Sequence, residues 1–366
     1  MHAVGSGDSV GLIIRQMVPR NLETPFDRAD SYLTPTKLFY VRCHFPAPTV
    51  DIASYRLRID GAVTTQCSLT YQDLRRMAAE TRVAVMECAG NGRVFMVPQE
   101  RGAQWELGAV GNAEWTGVPL SALLERAGVA DDACEIVLEG ADQGRPAEEP
   151  VPPGPVSYAR SVSRRKAQQP DVLIAYQMNG RDLSQDHGAP VRAVVPGHYG
   201  MASVKWLTRI SAVREPFHGY WQTTDYAYWD RLEGNPVRRA LGEMKVKSEI
   251  ARPRPYETLQ PDEAYTISGA AWAGETEVVG VAVSTDGGRS WSEAQLLDPV
   301  QGHAWRRWKL EWITPATPGR YVLLARATDT AGNVQADTHD PSYGGYAINH
   351  LLPIEVFVGD PATSST

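Results

Sequence analysis

The chain has 366 residues, 43% of them hydrophobic, which exceeds one typical domain and supplies enough apolar surface for two packed cores. Its 36 basic and 43 acidic side chains leave a formal charge of -7, which excludes a general nucleic-acid binder because phosphate recognition needs clustered positive charge. No stretch approaches the roughly 18 consecutive apolar residues of a membrane helix, so no membrane partner is expected.

Residues 1–20 mix Gly, Ser, Asp and apolar side chains without an apolar leader core, a twin-arginine pair or a small-residue cleavage site. A cytoplasmic location is expected for the chain as it stands, and a periplasmic one if a leader was removed. The run Gly7-Asp8-Ser9-Val10-Gly11 matches the Gly-x-Ser-x-Gly pattern, but no strand precedes it and it reads as chance. Residues 53–62 alternate apolar and polar and end on Asp60-Gly61, which predicts a strand entering a turn. Helices are expected over 69–79 and over 120–127, where the Leu-x-x-Leu-Leu spacing suits a face against a core. Strands are expected at 83–86, 135–138 and 191–195, so the first part reads as an α+β body. Residues 145–155 carry five prolines in eleven residues and are expected to form an exposed loop. The basic run Arg160, Arg164, Arg165 and Lys166 reads as a solvated helix face.

Near residue 250 the character changes. Pro253, Pro255 and Pro261 punctuate a linker, and short alternating strands follow with almost no helical pattern, as in a β-sandwich. Residues 281–291 read as a hairpin turning at Asp286-Gly287, and the pattern recurs over 321–333. The expected division is 1–248 and 249–366.

Cys43, Cys67, Cys88 and Cys134 form no Cys-x-x-Cys pair, so neither a zinc ribbon nor a covalent c-type haem is encoded, and a disulfide framework is not expected. No phosphate-cradling Gly-rich loop is present either. Cys88, in Met86-Glu87-Cys88-Ala89-Gly90-Asn91, stands just past a predicted strand where the backbone turns. An isolated cysteine is ordinarily a small buried hydrophobe.

Its company changes that reading. Cys88-Ala-Gly-Asn-x-Arg93 follows Phe39-Tyr-Val-Arg-Cys-His-Phe-Pro46 and precedes a tryptophan segment, 105–115. Then come Asp186-His-Gly-Ala-Pro-Val-Arg192, Pro196-Gly197, Val204-Lys-Trp-Leu207, Ser284-x-Asp-Gly-Gly-x-x-Trp291 and Ala304-Trp-Arg-x-Trp308. In this order, from about residue 30 to about residue 358, the segments resemble the sulfite oxidase family of molybdopterin-dependent enzymes.

The resemblance implies a mixed α/β molybdopterin-binding domain followed by an all-β immunoglobulin-like domain that mediates homodimerisation. It makes Cys88 the thiolate ligand of molybdenum, a soft donor that suffices because the pterin dithiolene supplies the other sulfurs. It assigns the pterin and its phosphate to His44, Asp142, His187, Arg192, Ser203 and Lys205. It places sulfite among Arg42, Arg93 and Arg306, with Trp105 as a wall donating its indole N-H and Tyr226 presenting its phenol. Guanidinium groups suit a small dianion because they hydrogen-bond oxyanions bidentately.

The implied reaction is oxidation of sulfite to sulfate by oxygen-atom transfer at a Mo(VI) oxo centre. Electrons then pass to a separate acceptor, a cytochrome or oxygen, with no haem domain in this length. The rival is a molybdopterin-dependent reductase of nitrate or a sulfoxide, and beyond enzymes a cofactor-binding protein without turnover. In plant-type nitrate reductases an asparagine and a methionine typically match Tyr226 and Arg306, which favours sulfite here. The chain departs from many family members at Cys43, where asparagine is usual, and at Gly92, where a second arginine is usual.

Overall fold

A computed structural model describes residues 11–28, 31–146 and 149–359. Strands dominate it, and the α-helices among these residues are short: Tyr71–Arg76, Leu120–Ala127 and Arg164–Ala167. The reason is local. Predicted helix 69–79 loses its first residues to the strand Cys67–Thr70, because Thr70 starts the helix with a reciprocal capping box, its side chain accepting from the Asp73 N-H while Asp73 accepts from Thr70. Helix Leu120–Ala127 has the expected bounds, buries Leu120, Leu123, Leu124 and Ala127, and stops at Gly128, whose φ of 65° is the left-handed cap that glycine adopts freely.

Two five-stranded sheets form the first body. One joins Glu80–Glu87, Val110–Pro119 and Leu173–Met178, with Arg192–Val194 and Arg181–Asp182 pairing along the last of these. The other runs Cys67–Thr70, Arg56–Gly61, Leu207–Val213, Glu135–Gly144, Val156–Ser163. Alternation at 56–61 puts Leu57 and Ile59 into the core, as its pattern predicts. A small sheet of Ile13–Gln16, Asn21–Glu23 and Val41–Arg42 brings the N-terminal segment alongside. Outside the undescribed residues 147 and 148, the proline-rich stretch 145–155 contains no strand or helix.

The basic run is a correction to the sequence reading. Arg160 lies within the strand Val156–Ser163 at 2% exposure, donating to the carbonyls of Trp221 and Leu241. Lys166 is also buried, with Glu275 at 2.7 Å, while Arg165 is exposed. The helix there is only four residues long, so the run spans a strand end and a turn and never presents one face.

Beyond residue 246 two sheets follow. Lys247–Arg252, Ala264–Trp272, Arg306–Ile313 and Gln295–Leu296 make one, and Thr258–Leu259, Ile354–Val358, Gly319–Asp329, Val278–Ser284 and Ser292–Glu293 the other. Asp286 holds the predicted hairpin turn by accepting from the Arg289 and Ser290 N-H groups, and Asp329 does the same for Ala331 and Asn333. The first strand of this region is pinned to the first body by a buried cluster. Lys247 Nζ stands 3.1 Å from Glu87 Oε1 and 3.1 Å from Glu249 Oε1, and Trp272 Nε1 donates to Glu87 Oε2 at 2.9 Å. Glu87 is the residue before Cys88.

Candidate functional site

The strand Glu80–Glu87 ends in a turn that frees Cys88 from the ladder. Its N-H donates to Ala109 O at 2.8 Å, and its carbonyl accepts from Asn91 N at 2.9 Å. Gly92, at φ 95°, then starts the short helix Arg93–Phe95. Cys88 is buried and lines a solvent-connected cavity of about 630 Å³, its open mouth included. His44, Asp142, His187, Arg192, Ser203, Lys205, Arg42 and Tyr226 line the same cavity, so residues spread over 185 positions of sequence meet in one place.

The charge pattern of that cavity is one-sided. Arg192 is buried, and its donors reach only the carbonyls of His187, Ala193 and Ser203 and the sulfur of Met86. Burial pushes its pKa down to about 10. Lys205 Nζ donates to Asp186 O at 2.9 Å and Cys43 Sγ at 3.1 Å, and Arg42 to Asn21 Oδ1 and Cys43 O. Asp186 is already held by Arg20 at 2.6 Å. No ion pair neutralises Arg42, Arg192 or Lys205 among the described residues, so the cavity favours an anionic guest on an acidic protein.

Asp142 completes the polar lining. Its Oδ1 is buried without a partner, and burial, only partly offset by Lys205, raises its pKa to about 6. Because this folded value lies above the ordinary aspartate value of 3.8, the stability linked to the group is full below that lower value and is lost as pH rises through about 6. Protein lacking its guest should therefore lose about 3 kcal/mol of unfolding free energy between pH 4 and 7 from this group, an upper figure from the size of the shift. Urea melts across that range check it, and Asp142→Asn should flatten the slope; an equal slope in both proteins would refute the assignment.

Both histidines are kept neutral. Burial, then Arg192 and Lys205, lowers His187 to about 3, and burial with Arg42 and Lys205 holds His44 well below the usual range. His44 Nε2 sits 2.7 Å from the Tyr226 hydroxyl, and its ring packs on Tyr158 and Trp221. Burial raises the Tyr226 phenol, which therefore stays protonated. Ser203 Oγ accepts from Val195 N at 3.0 Å.

Three predicted substrate residues are placed differently. Arg93 is buried behind the cavity, donating to Gly345 O and Ala103 O. Trp105 is fully buried with Tyr40 between it and the cavity, and its indole nitrogen has no partner. Arg306 is remote: its guanidinium donates to Asp298 O and Val278 O and lines a separate small pocket of the second region. The register of Arg306 against Ala271 within the sheet commits it there. What the second region brings to the site instead is the segment 345–347, with Ala347 N donating to Ala89 O. Tyr158 lines the cavity without any motif that marks it, whereas Tyr40 lay inside the 39–46 segment and Met86 inside the 86–91 run.

A soft thiol at one wall, a buried Arg192 and half-buried Arg42 and Lys205 without ion pairs, and an orphaned carboxylate oxygen fit a molybdenum pyranopterin with a phosphate tail. The fold and cavity define a molybdopterin oxidoreductase. Residues 44–221 match the family described as "Oxidoreductase molybdopterin binding domain", and residues 238–351 the "Mo-co oxidoreductase dimerisation domain". The chain is 37% identical to sulfite oxidase of Gallus gallus over 90% of its own length and 74% of that protein. It is 35% identical to the mitochondrial sulfite oxidase of Macaca fascicularis over 95% of itself and 66% of that longer relative. Among solved structures, the sulfane dehydrogenase SoxCD from Paracoccus pantotrophus superposes with a TM-score of 0.80 at 30% identity, covering 92% of this chain and 84% of that one. The chain belongs to the sulfite oxidase family of molybdenum oxidoreductases.

Proposed function

We propose that the protein oxidises sulfite to sulfate and passes the electrons to a separate acceptor, a cytochrome or oxygen. The observation that carries this reading is the meeting of Cys88 with Arg42, Arg192 and Lys205, none of them ion-paired, in one pocket. The names of the relatives, sulfite oxidase and sulfane dehydrogenase, both point to reduced sulfur.

The molybdenum pyranopterin supplies two-electron oxygen-atom transfer when bound. Cys88 provides the protein's thiolate to the metal. Arg192 and Lys205 hold the phosphate, and Asp142, His187, Ser203 and His44 pair the polar edges of the pterin, whose burial demands such partners. Because both histidines are neutral, they hydrogen-bond without adding charge. Arg42 and the Tyr226 phenol meet the substrate oxyanion, and Arg93 contributes from behind, through its field. Phe39, Tyr40 and Met86 give the pocket apolar walls, and a lower local dielectric strengthens these electrostatic contacts.

We read residues 1–248 as the cofactor-binding module, an α+β body, and 249–366 as an immunoglobulin-like sandwich that pairs two copies of the chain. The two facing sheets beyond residue 246 and the dimerisation family matched over 238–351 support that division.

Metal-loaded protein assayed with sulfite and ferricyanide, with nitrate and a sulfoxide in parallel, tests the function. Turnover of nitrate without reduction by sulfite would overturn it. Within the same assay, Arg42→Met is expected to raise the KM for sulfite roughly 10- to 100-fold, the worth of a charged hydrogen bond of about 1.5–3 kcal/mol. Arg306→Met should leave the KM for sulfite within about twofold of the parent, since its guanidinium is bonded to Asp298 O and Val278 O away from the cavity.

A further inference from the structure

The segment 345–349 of the second region lies directly on the Cys88 loop. Gly345 O accepts from Arg93 Nε at 3.0 Å and Nη2 at 2.8 Å, and Ala347 N donates to Ala89 O at 2.8 Å. Between these two contacts stands Tyr346. Its hydroxyl donates to Asp225 Oδ1, and its ring lies 5.1 Å from that of Tyr226. On its other side the Arg93 guanidinium carbon is 5.2 Å from the ring centroid, within cation-π range.

Asp225 uses the same oxygen, Oδ1, to accept from the Tyr226 N-H at 2.8 Å. Tyr226 needs this hold. Its φ is +48°, a left-handed conformation rarely taken by a bulky side chain, and it persists only where the surroundings enforce it. The ordered chain is therefore Tyr346 to Asp225 to Tyr226 to His44, and only its last two members line the cavity. Nothing in the sequence motifs marks Tyr346 or Asp225 for this task.

We propose that Tyr346 is a positioning residue for the substrate end of the cavity. Carried in from the second region, it orients Asp225 and through it the Tyr226 phenol, while its ring face fixes Arg93. This rests on the sulfite reading above and takes the place there that Arg306 does not fill.

The test uses the metal-loaded protein with Tyr346→Phe, which removes only the hydroxyl, and Tyr346→Leu, which removes the ring as well. The expected result is a fall in kcat/KM for sulfite of about tenfold for Phe and more for Leu, with Phe costing less than about twofold in a Tyr226→Phe background. Such non-additivity is what action through Tyr226 demands and what packing alone does not produce. Equal costs in the two backgrounds, or no cost in either, would overturn the proposal.

Calorimetric titration with sulfate gives a readout free of turnover, and Tyr346→Phe should weaken sulfate binding several-fold. If the parent protein does not oxidise sulfite, the functional reading fails, and the sulfate titration then decides Tyr346 by itself. Unchanged affinity would reject its role.

Discussion

Cys88→Ser is expected to abolish sulfite turnover while leaving the fold intact. A metal centre supplies several kcal/mol of activation, and each 1.4 kcal/mol is a factor of ten, so a loss of about three orders of magnitude or more follows when metal ligation fails. Serine is close to cysteine in volume, and the backbone bonds of the loop, from Cys88 N to Ala109 O and from Asn91 N to Cys88 O, do not involve the side chain. What changes is the donor atom: a hard hydroxyl oxygen, still protonated at neutral pH, replaces a soft thiolate. Turnover, molybdenum content and melting temperature measured together separate lost ligation from lost folding. Full activity in this variant would overturn the metal assignment.

Arg192→Met should lose the cofactor rather than the fold. In the guest-free protein Arg192 carries a buried charge answered only by carbonyls and a thioether, with its face over Trp115 at 4.9 Å. Removing one member of a buried charge pair costs about 2–5 kcal/mol, so affinity for the phosphate-bearing cofactor should fall by roughly 30-fold or more. Stability of guest-free protein should change far less, by about 1 kcal/mol, because the desolvation cost removed with the charge offsets the carbonyl bonds given up. Molybdenum per chain after extensive dialysis, together with urea melts of guest-free protein, checks both halves. Full cofactor retention would show that the phosphate lies elsewhere.

Some of the site was legible because its signals are local. Cys88 follows a strand and precedes a glycine-bearing turn, and the motifs carrying Arg42, His44, His187, Arg192 and Lys205 recur in a fixed order. All of these do line one cavity. Arg306 shows the opposite case. Trp305-Arg306-x-Trp308 is a strand pattern, and a strand's period of two says which residues share a face but not what that face meets. Register against Ala271 turned the arginine towards Val278 and Asp298. Arg160 misled for a related reason: a run of like charges reads as solvated, yet it sits in a central stretch of strand where only carbonyls answer it.

Local patterning in the sequence thus determined the strand that leads into Cys88, the capped helix Leu120–Ala127, the turn at Asp286 and, through ordered motifs, the family. Tertiary structure alone decided that Arg93 stands behind the cavity and Arg306 away from it, and that the second region touches the site through 345–347. The division is physical. Backbone propensity and capping act over a few residues and are written in sequence, whereas a shared electric field or a hydrogen bond such as Tyr346 to Asp225 joins groups 121 positions apart and exists only once the sheets have packed.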